Sequence, residues 1–352
     1  LNDNSNTSQI LELLYRFVNK NKELSEYLGF DSYTEYKDVM YSRIYTKDDV
    51  NDFISNVKEY ILPIDFDSFA NKIRSKVARI SYPEYAYLVE FEETSIFDGD
   101  YKTKRLANDY AKKIGGNYYK TYSDYNNKGY YVFSNEENCL TGAYTNDCLS
   151  YFGKDCQDVS TFIHEFGHYY SFTNGDVLEK SLDLKEFYSQ ANEFLFMSYL
   201  EQYSDSYLKD VYDIESSIKL IDSCNTLIIG SAFREYEEKI YTSTISTPAD
   251  LYEIWNELNS NEYNMQLDDY WKIEIRYDVY YLSYATSLTG ALSLYSYSQN
   301  NFSNAALAYM NAACNSNIDD DIVEVLTKNH LDDPFSEEAF IHILNLVEEK
   351  SK

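Results

Sequence analysis

His164-Glu165-Phe166-Gly167-His168 is the stretch on which the reading of this chain turns. The sequence holds four histidines, and two of them stand here at helical spacing with a glutamate directly after the first. On a helix, positions i and i+4 share a face with Cβ atoms about 6 Å apart, so both imidazoles can reach one ion. Two histidines beside a carboxylate form the arrangement that zinc-assisted hydrolysis of a peptide bond uses.

The spacing predicts a helix that starts near Asp158 or Ser160, either able to cap it, and ends at Asn174-Gly175. Phe162, Ile163, Phe166 and Tyr170 fall on its apolar side, which turns His164 and His168 toward a cleft. Glu165 is too close along the helix to join both imidazoles on an ion, yet it can reach a water activated there. That is a general-base position: zinc lowers the pKa of water toward ~7, and the carboxylate takes the proton as the water attacks a carbonyl. The plainer alternative is two histidines satisfied by hydrogen bonds on a polar helix face.

A catalytic zinc needs a third protein ligand and an open position. His330 and His342 are remote and lie in a charged C-terminal region, so a carboxylate must serve. The following helix, from Leu182 to about Glu201, carries Glu186, Gln190 and Glu193 as one polar stripe opposite Leu184, Phe187, Leu195 and Tyr199. The intervening chain allows a turn and an antiparallel helix. Glu186 is the expected third ligand, with Asp183 and Glu179 as competitors. Glu193 and Gln190 are expected to back the ligands, Glu193 by orienting an imidazole.

With 59 acidic against 30 basic residues, a net charge of −29, the surface repels nucleic-acid phosphates and anionic lipid. The 352 residues, 44% hydrophobic, suffice for a sizeable core. No run approaches the roughly 18 apolar residues of a membrane-spanning helix, and no signal-peptide pattern is visible. The chain opens on Leu1 rather than Met, which leaves room for a removed leader or upstream region, and localisation stays open. Five cysteines at irregular spacing argue against a disulfide framework, although Cys139, Cys148 and Cys156 are near enough in sequence for one bridge.

Four prolines and eleven glycines suit long helices. Helical periodicity runs from about Ser8 to Phe30, Lys47 to Leu62, Asp67 to Ile80 and Lys102 to Ile114. Between Asn117 and Asp155 the character turns to short strands, at Tyr130–Phe133 and Cys148–Phe152. The expected fold is mainly α, a multi-helix assembly with a small β-sheet next to the motif helix and the active site in a deep cleft. One catalytic domain over residues 1–352 is expected. It comprises an N-terminal helical region (residues 1–116), a small sheet (residues 117–155) and a zinc-binding, C-terminal helical region (residues 156–352).

His164–His168 followed by Glu186-Phe187-Tyr188-Ser189-Gln190-Ala191-Asn192-Glu193 resembles the H-E-x-G-H … E-x-x-S-Q-x-x-E pattern of the thimet-oligopeptidase and oligoendopeptidase F family. Tyr27 to Tyr33 looks like that family's G-Y-x-x-Y junction, Thr141-Gly142-Ala143-Tyr144 like its G-A-Y segment, and Tyr281 to Gly290 like its Y-x-Y-A-T-G helix. Leu326 to Phe335 resembles the closing segment, which implies that the natural C-terminus is present. The resemblance implies a zinc endopeptidase with one Zn²⁺ per chain, acting on short, unstructured peptides; oligomeric state stays open. It further implies that Asp147–Gly153 is an edge strand for extended substrate, with Gly142 allowing close backbone approach and Ala143 and Tyr144 beside it. Tyr284 and then Tyr277 are the expected oxyanion donors, with Tyr281 on the substrate side and Tyr280 hard to separate from it.

The sequence also departs from the family. A histidine expected shortly before the tyrosine helix is replaced by the stretch Lys272-Ile273-Glu274-Ile275-Arg276, with Arg276 a candidate substitute cation. Ser171 stands where a further histidine is frequent, and the chain is shorter than typical members at its N-terminal side, which implies a fragment or a more open cleft. Two alternatives follow: a catalytically impaired peptide-binding protein on the same fold, or a zinc carboxypeptidase or dipeptidase.

Overall fold

The computed structural model describes residues 4–78, 100–134, 142–146, 149–153, 156, 158–175, 181–203, 209–263, 270–275, 277–315 and 320–352. Helices dominate because few residues interrupt them and their starts are capped. Ser32 opens α2 (Tyr33–Met40), and a reciprocal Thr46–Asp49 capping box opens α3 (Lys47–Asn56). Asp65 accepts from the backbone N–H of Ser68 at the start of α4 (Phe66–Val77). The long α1 (Asn4–Leu28) precedes them, and α3 continues into a π-helical turn at Val57–Ile61, just before Pro63. Then come α5 (Asp100–Ile114) and α6 (Gly116–Lys128).

Helix α6 corrects the expectation that sheet structure begins at Asn117. Tyr118, Thr121, Tyr122 and Tyr125 recur at helical intervals and are all buried, and the strands begin only after Gly129. Helical periodicity is the deciding signal here.

The sheet that follows is small: β1 (Tyr131–Phe133), β2 (Ala143–Asn146) and β3 (Leu149–Phe152), in the order β1-β3-β2. Strand β3 is parallel to β1, with Val132 opposite Tyr151, and antiparallel to β2, with Tyr144 opposite Tyr151. This reverses the expected roles: the segment expected at the edge, Asp147–Gly153, supplies the central strand, and β2 is the edge. Asp147 itself, like Thr141, Glu179, Arg276, Cys139 and Cys148, lies outside the described residues.

The motif helix α7 (Val159–Asn174) is capped by Asp158, whose carboxylate accepts from the N–H of Thr161 at 2.9 Å. It is followed by α8 (Leu182–Tyr203), α9 (Lys209–Thr242), α10 (Pro248–Glu257), α11 (Tyr281–Asn300), α12 (Phe302–Asn315), α13 (Ile322–Lys328) and α14 (Glu337–Lys350). Helix α8 is the hub, packed against α7, α9, α11 and α12. It is buried on almost every side, which is why it shows no apolar stripe of its own. A second apolar cluster, including Leu14, Phe233, Trp255 and Val279, joins α1 and α10 to the outer side of α9. Among the described residues, no helix is long and apolar enough to cross a membrane.

One contact sets the geometry of the pair α7–α8. A Cβ on Gly167 would fall 2.7 Å from both Ser189 Cα and Tyr188 O, so the two helices touch backbone to backbone at this point. Gly167→Ala gains about 1 kcal/mol of helix propensity but meets rigid backbone. A net loss of about 1–3 kcal/mol in unfolding free energy is expected from a urea titration. A wild-type midpoint would show that the helices can separate without cost.

Candidate metal centre

The backbone contact at Gly167 places Glu186 of α8 opposite the histidines of α7. The imidazoles of His164 and His168 leave one face of the helix, with ring centroids 4.9 Å apart. Glu186 Oε2 lies 3.9 Å from the Nε2 of each, and the three ligand atoms fall within 4.8 Å of one another. At 3.9 Å neither contact is a hydrogen bond. Glu186 Oε2 is buried without a hydrogen-bond partner, a costly condition that a shared cation relieves. His164, His168 and Glu186 thus form a group able to hold a metal ion.

Each of the three is held from behind. His164 Nδ1 lies 2.6 Å from Glu193 Oε1, which places a proton on Nδ1 and orients the ring with Nε2 toward Glu186. The other oxygen of Glu193 accepts from Lys219 Nζ at 2.6 Å and from Ser160 Oγ at 2.8 Å. His168 hydrogen-bonds the backbone of Lys185. Tyr280 donates its hydroxyl to Glu186 Oε1 at 2.7 Å, which leaves Oε2 for the imidazole side.

The titration of these groups follows from burial and pairing. Burial opposes charge on His164, but the hydrogen bond and charge of Glu193 outweigh it and raise the imidazole to about 9. His168 is pushed down to about 3, by burial first and by His164 second. Glu193 is held well below the usual carboxylate range: burial works against it, and Lys219 and His164 prevail. Burial raises Glu186 and Glu165.

Glu165 is 4% exposed and accepts from Thr145 Oγ1 at 2.6 Å, a link from β2 to the motif helix. Together these groups line a cleft of about 410 Å³ whose walls include Ala143, Tyr144, Thr145, Asn146, Tyr280 and Tyr284. A larger hollow of about 570 Å³ beside Asp65 and Lys76 contains neither histidine nor cysteine and lies away from this chemistry.

The tyrosines fall differently from the expected i, i+4, i+7 face. Helix α11 begins at Tyr281, and Val279, at φ +56°, breaks the helical register before it. Tyr280 and Tyr284 therefore line the cleft, with ring centroids 5.0 Å apart. Tyr281 stacks on Phe233 at 4.9 Å, away from the expected substrate side, and Tyr277 packs edge-on against Tyr281. Gln190 does not back the ligands directly: it donates to Tyr284 O and accepts from Ser287 Oγ, tying α8 to α11. Gly142 adopts φ +110°, so backbone conformation, with no crowding atom within 4 Å, accounts for glycine there. Asp183 turns instead toward Ser283 and Arg43. Trp271, Lys272, Glu274 and Ile275 are not among the cleft-lining residues, and Glu274 is fully buried.

Sequence reasoning missed Thr145, Ser160, Lys219 and Asn192. Strand alternation from Ala143 would have found Thr145, and the i−4 position relative to His164 would have found Ser160. Asn192 accepts from Tyr110 and Tyr118 and donates to Ile163 O, while Lys219 arrives from α9; neither has a local signature. Replacing Glu193 by Gln removes the anion that orients His164. A 10–100-fold loss of zinc affinity is expected, measured by competition with a chromophoric chelator; unchanged affinity would remove Glu193 from the centre.

No protein-family model and no curated protein matches the sequence. Solved structures do match. PZ peptidase A, solved with an inhibitor, superposes with a TM-score of 0.78 at 16% identity over 99% of this chain and 67% of its own. An oligoendopeptidase F from Bacillus anthracis gives 0.76 at 17% identity, over 98% of this chain and 64% of that one. A further oligoendopeptidase F structure gives 0.76 at 18% identity, over 97% and 65%. The chain spans about two thirds of the length of these structures. In its fold the chain is similar to these oligoendopeptidase F and PZ peptidase structures, in agreement with the resemblance carried by its H-E-F-G-H motif and companion segments.

Proposed function

We propose that this chain is a zinc-dependent endopeptidase that hydrolyses short, unstructured peptides. The observation that carries the reading is the buried, unpartnered Glu186 Oε2 at 3.9 Å from both imidazole Nε2 atoms, in the same cleft as Glu165. The names of the similar structures, peptidases all, support it.

In this reading His164, His168 and Glu186 hold the ion. Zinc, when bound there, supplies Lewis acidity toward water and the scissile carbonyl. Glu165 takes the proton of the attacking water and passes it to the leaving amine. Its proton affinity, raised by burial, suits both halves of that transfer. Thr145, donating to Glu165 Oε2, fixes the carboxylate in one orientation. Tyr284 lines the cleft and is placed to donate to the carbonyl oxygen as negative charge develops. The edge strand β2, at the cleft wall, offers its backbone to an extended peptide, with Tyr144 alongside. A cleft of about 410 Å³ takes a few residues of extended chain and no folded domain.

A second reading, a peptide-binding protein without turnover, is favoured by one observation: Glu274 is buried in the stretch where the family resemblance leads one to expect a histidine. Incubation with a quenched fluorescent peptide separates the two, since binding without chelator-sensitive cleavage would support the second. Product mass spectrometry separates internal cuts from stepwise terminal trimming. Glu165→Gln is expected to keep zinc and lose peptide hydrolysis by two to four orders of magnitude, about the contribution of a general base. Substantial turnover by the zinc-loaded variant would remove Glu165 from that role.

A further inference from the structure

Behind the cleft, the chain entering α11 passes through a conformation its residue disfavours. Val279 is fully buried with φ +56°, in the left-handed region that β-branched residues avoid. Such a position persists only where its surroundings over-determine it, and here they do. The N–H of Val279 donates to Glu237 Oε1 at 2.9 Å, and its carbonyl accepts from Arg43 Nη2 at 2.8 Å. Arg43 is itself fixed by Asp38 at 2.7 Å and Ser283 Oγ at 2.7 Å. The preceding residue is anchored as well: Tyr33 donates to Asp278 Oδ2 at 2.6 Å and Tyr41 to Asp278 O at 3.2 Å.

Glu237 is fully buried, as is Glu274, and the charge of Glu237 acts on Glu274. Burial raises Glu237 to about 7, and burial together with the charge of Glu237 holds Glu274 well above the usual carboxylate range. Burying two carboxyls in an apolar interior costs free energy that their hydrogen bonds must offset. Glu237 fixes the backbone N–H of Val279, the residue before Tyr280, whose hydroxyl reaches Glu186 Oε1 at 2.7 Å.

We propose that Glu237 is a positioning residue for the metal centre: with Arg43 it clamps the Val279 peptide and thereby aims the Tyr280 hydroxyl at Glu186, so that Glu186 presents its other oxygen to His164 and His168. This rests on the reading of those three residues as a zinc site. Glu274, in the stretch that departs from the family pattern, then supports the clamp rather than the cleft.

A double-mutant cycle tests it, with Zn²⁺ affinity of the full chain read by chelator competition and urea midpoints recorded alongside. Tyr280→Phe and Glu237→Met are each expected to weaken zinc binding about tenfold or more, within the range of ligand-orienting contacts. The double variant is expected to lose no more than the larger single loss, because both act through one hydroxyl. Glu237→Gln, which keeps an acceptor for Val279 N–H, is expected to bind within about threefold of wild type. Should Glu237→Met fold poorly, Glu237→Asp, which withdraws the acceptor by one methylene, is expected to show the loss instead. Losses that add in the double variant, or wild-type affinity in both folded Glu237→Met and Glu237→Asp, overturn the clamp while leaving the zinc site standing. If the wild-type chain itself binds no zinc, the metal reading falls and the clamp with it.

Discussion

The backbone contact between α7 and α8 at Gly167 is the constraint on which the rest depends. Side chains project at least one Cβ from a helix axis, and two helices normally keep 8–10 Å apart. Without a Cβ at Gly167, α8 comes close enough that Ser189 Cα and Tyr188 O lie where that atom would be. Glu186, less than one turn earlier on α8, is thereby brought within 3.9 Å of two imidazoles. A wider crossing would leave the carboxylate short of them. The glycine between the two histidines therefore belongs to the centre as much as the side chains that face the ion site.

A helix so deeply enclosed must satisfy its polar groups internally, and α8 shares Glu193, Gln190 and Asn192 among several neighbours. Glu193 is paired with His164 and with Lys219 of α9; Gln190 reaches Tyr284 and Ser287 of α11; Asn192 collects Tyr110 and Tyr118 and holds Ile163 O of α7. Buried polar groups left unpaired are costly, and fully paired they specify one arrangement of helices. The polar stripe of α8 thus serves packing register and chemistry together. Glu186 Oε2 stands out from this pattern because it alone of these groups faces two imidazoles and no donor.

In the proposed function, the small sheet would connect substrate geometry to acid–base geometry. Thr145 sits on the edge strand at the cleft wall and donates to Glu165, so a peptide docked along β2 would lie in fixed relation to the proposed base. On the opposite wall, the constrained Val279 peptide delivers Tyr280 to Glu186 and starts α11, which carries Tyr284. Two walls with independent anchors converge on one carboxylate pair, an organisation suited to holding reacting groups in place rather than to recognising a large surface.

Local sequence was enough for whatever depends on periodicity and caps. The motif helix, its Asp158 cap, its histidine face and the placing of Glu186 and Glu193 on the side of α8 that meets it follow from spacing within one element. The expected boundary of the sheet region falls too early, since Gly116–Lys128 is a helix whose buried tyrosines follow a helical period. Strand order, the cleft-facing choice of Tyr280 over Tyr281, the turning of Gln190 toward α11 and the arrival of Lys219 and Arg43 were decided only in three dimensions. Each depends on chain segments distant in sequence, or on a single backbone dihedral such as that of Val279. Short-range periodicity says which face of an element is polar; which partner that face meets is settled by how the elements pack.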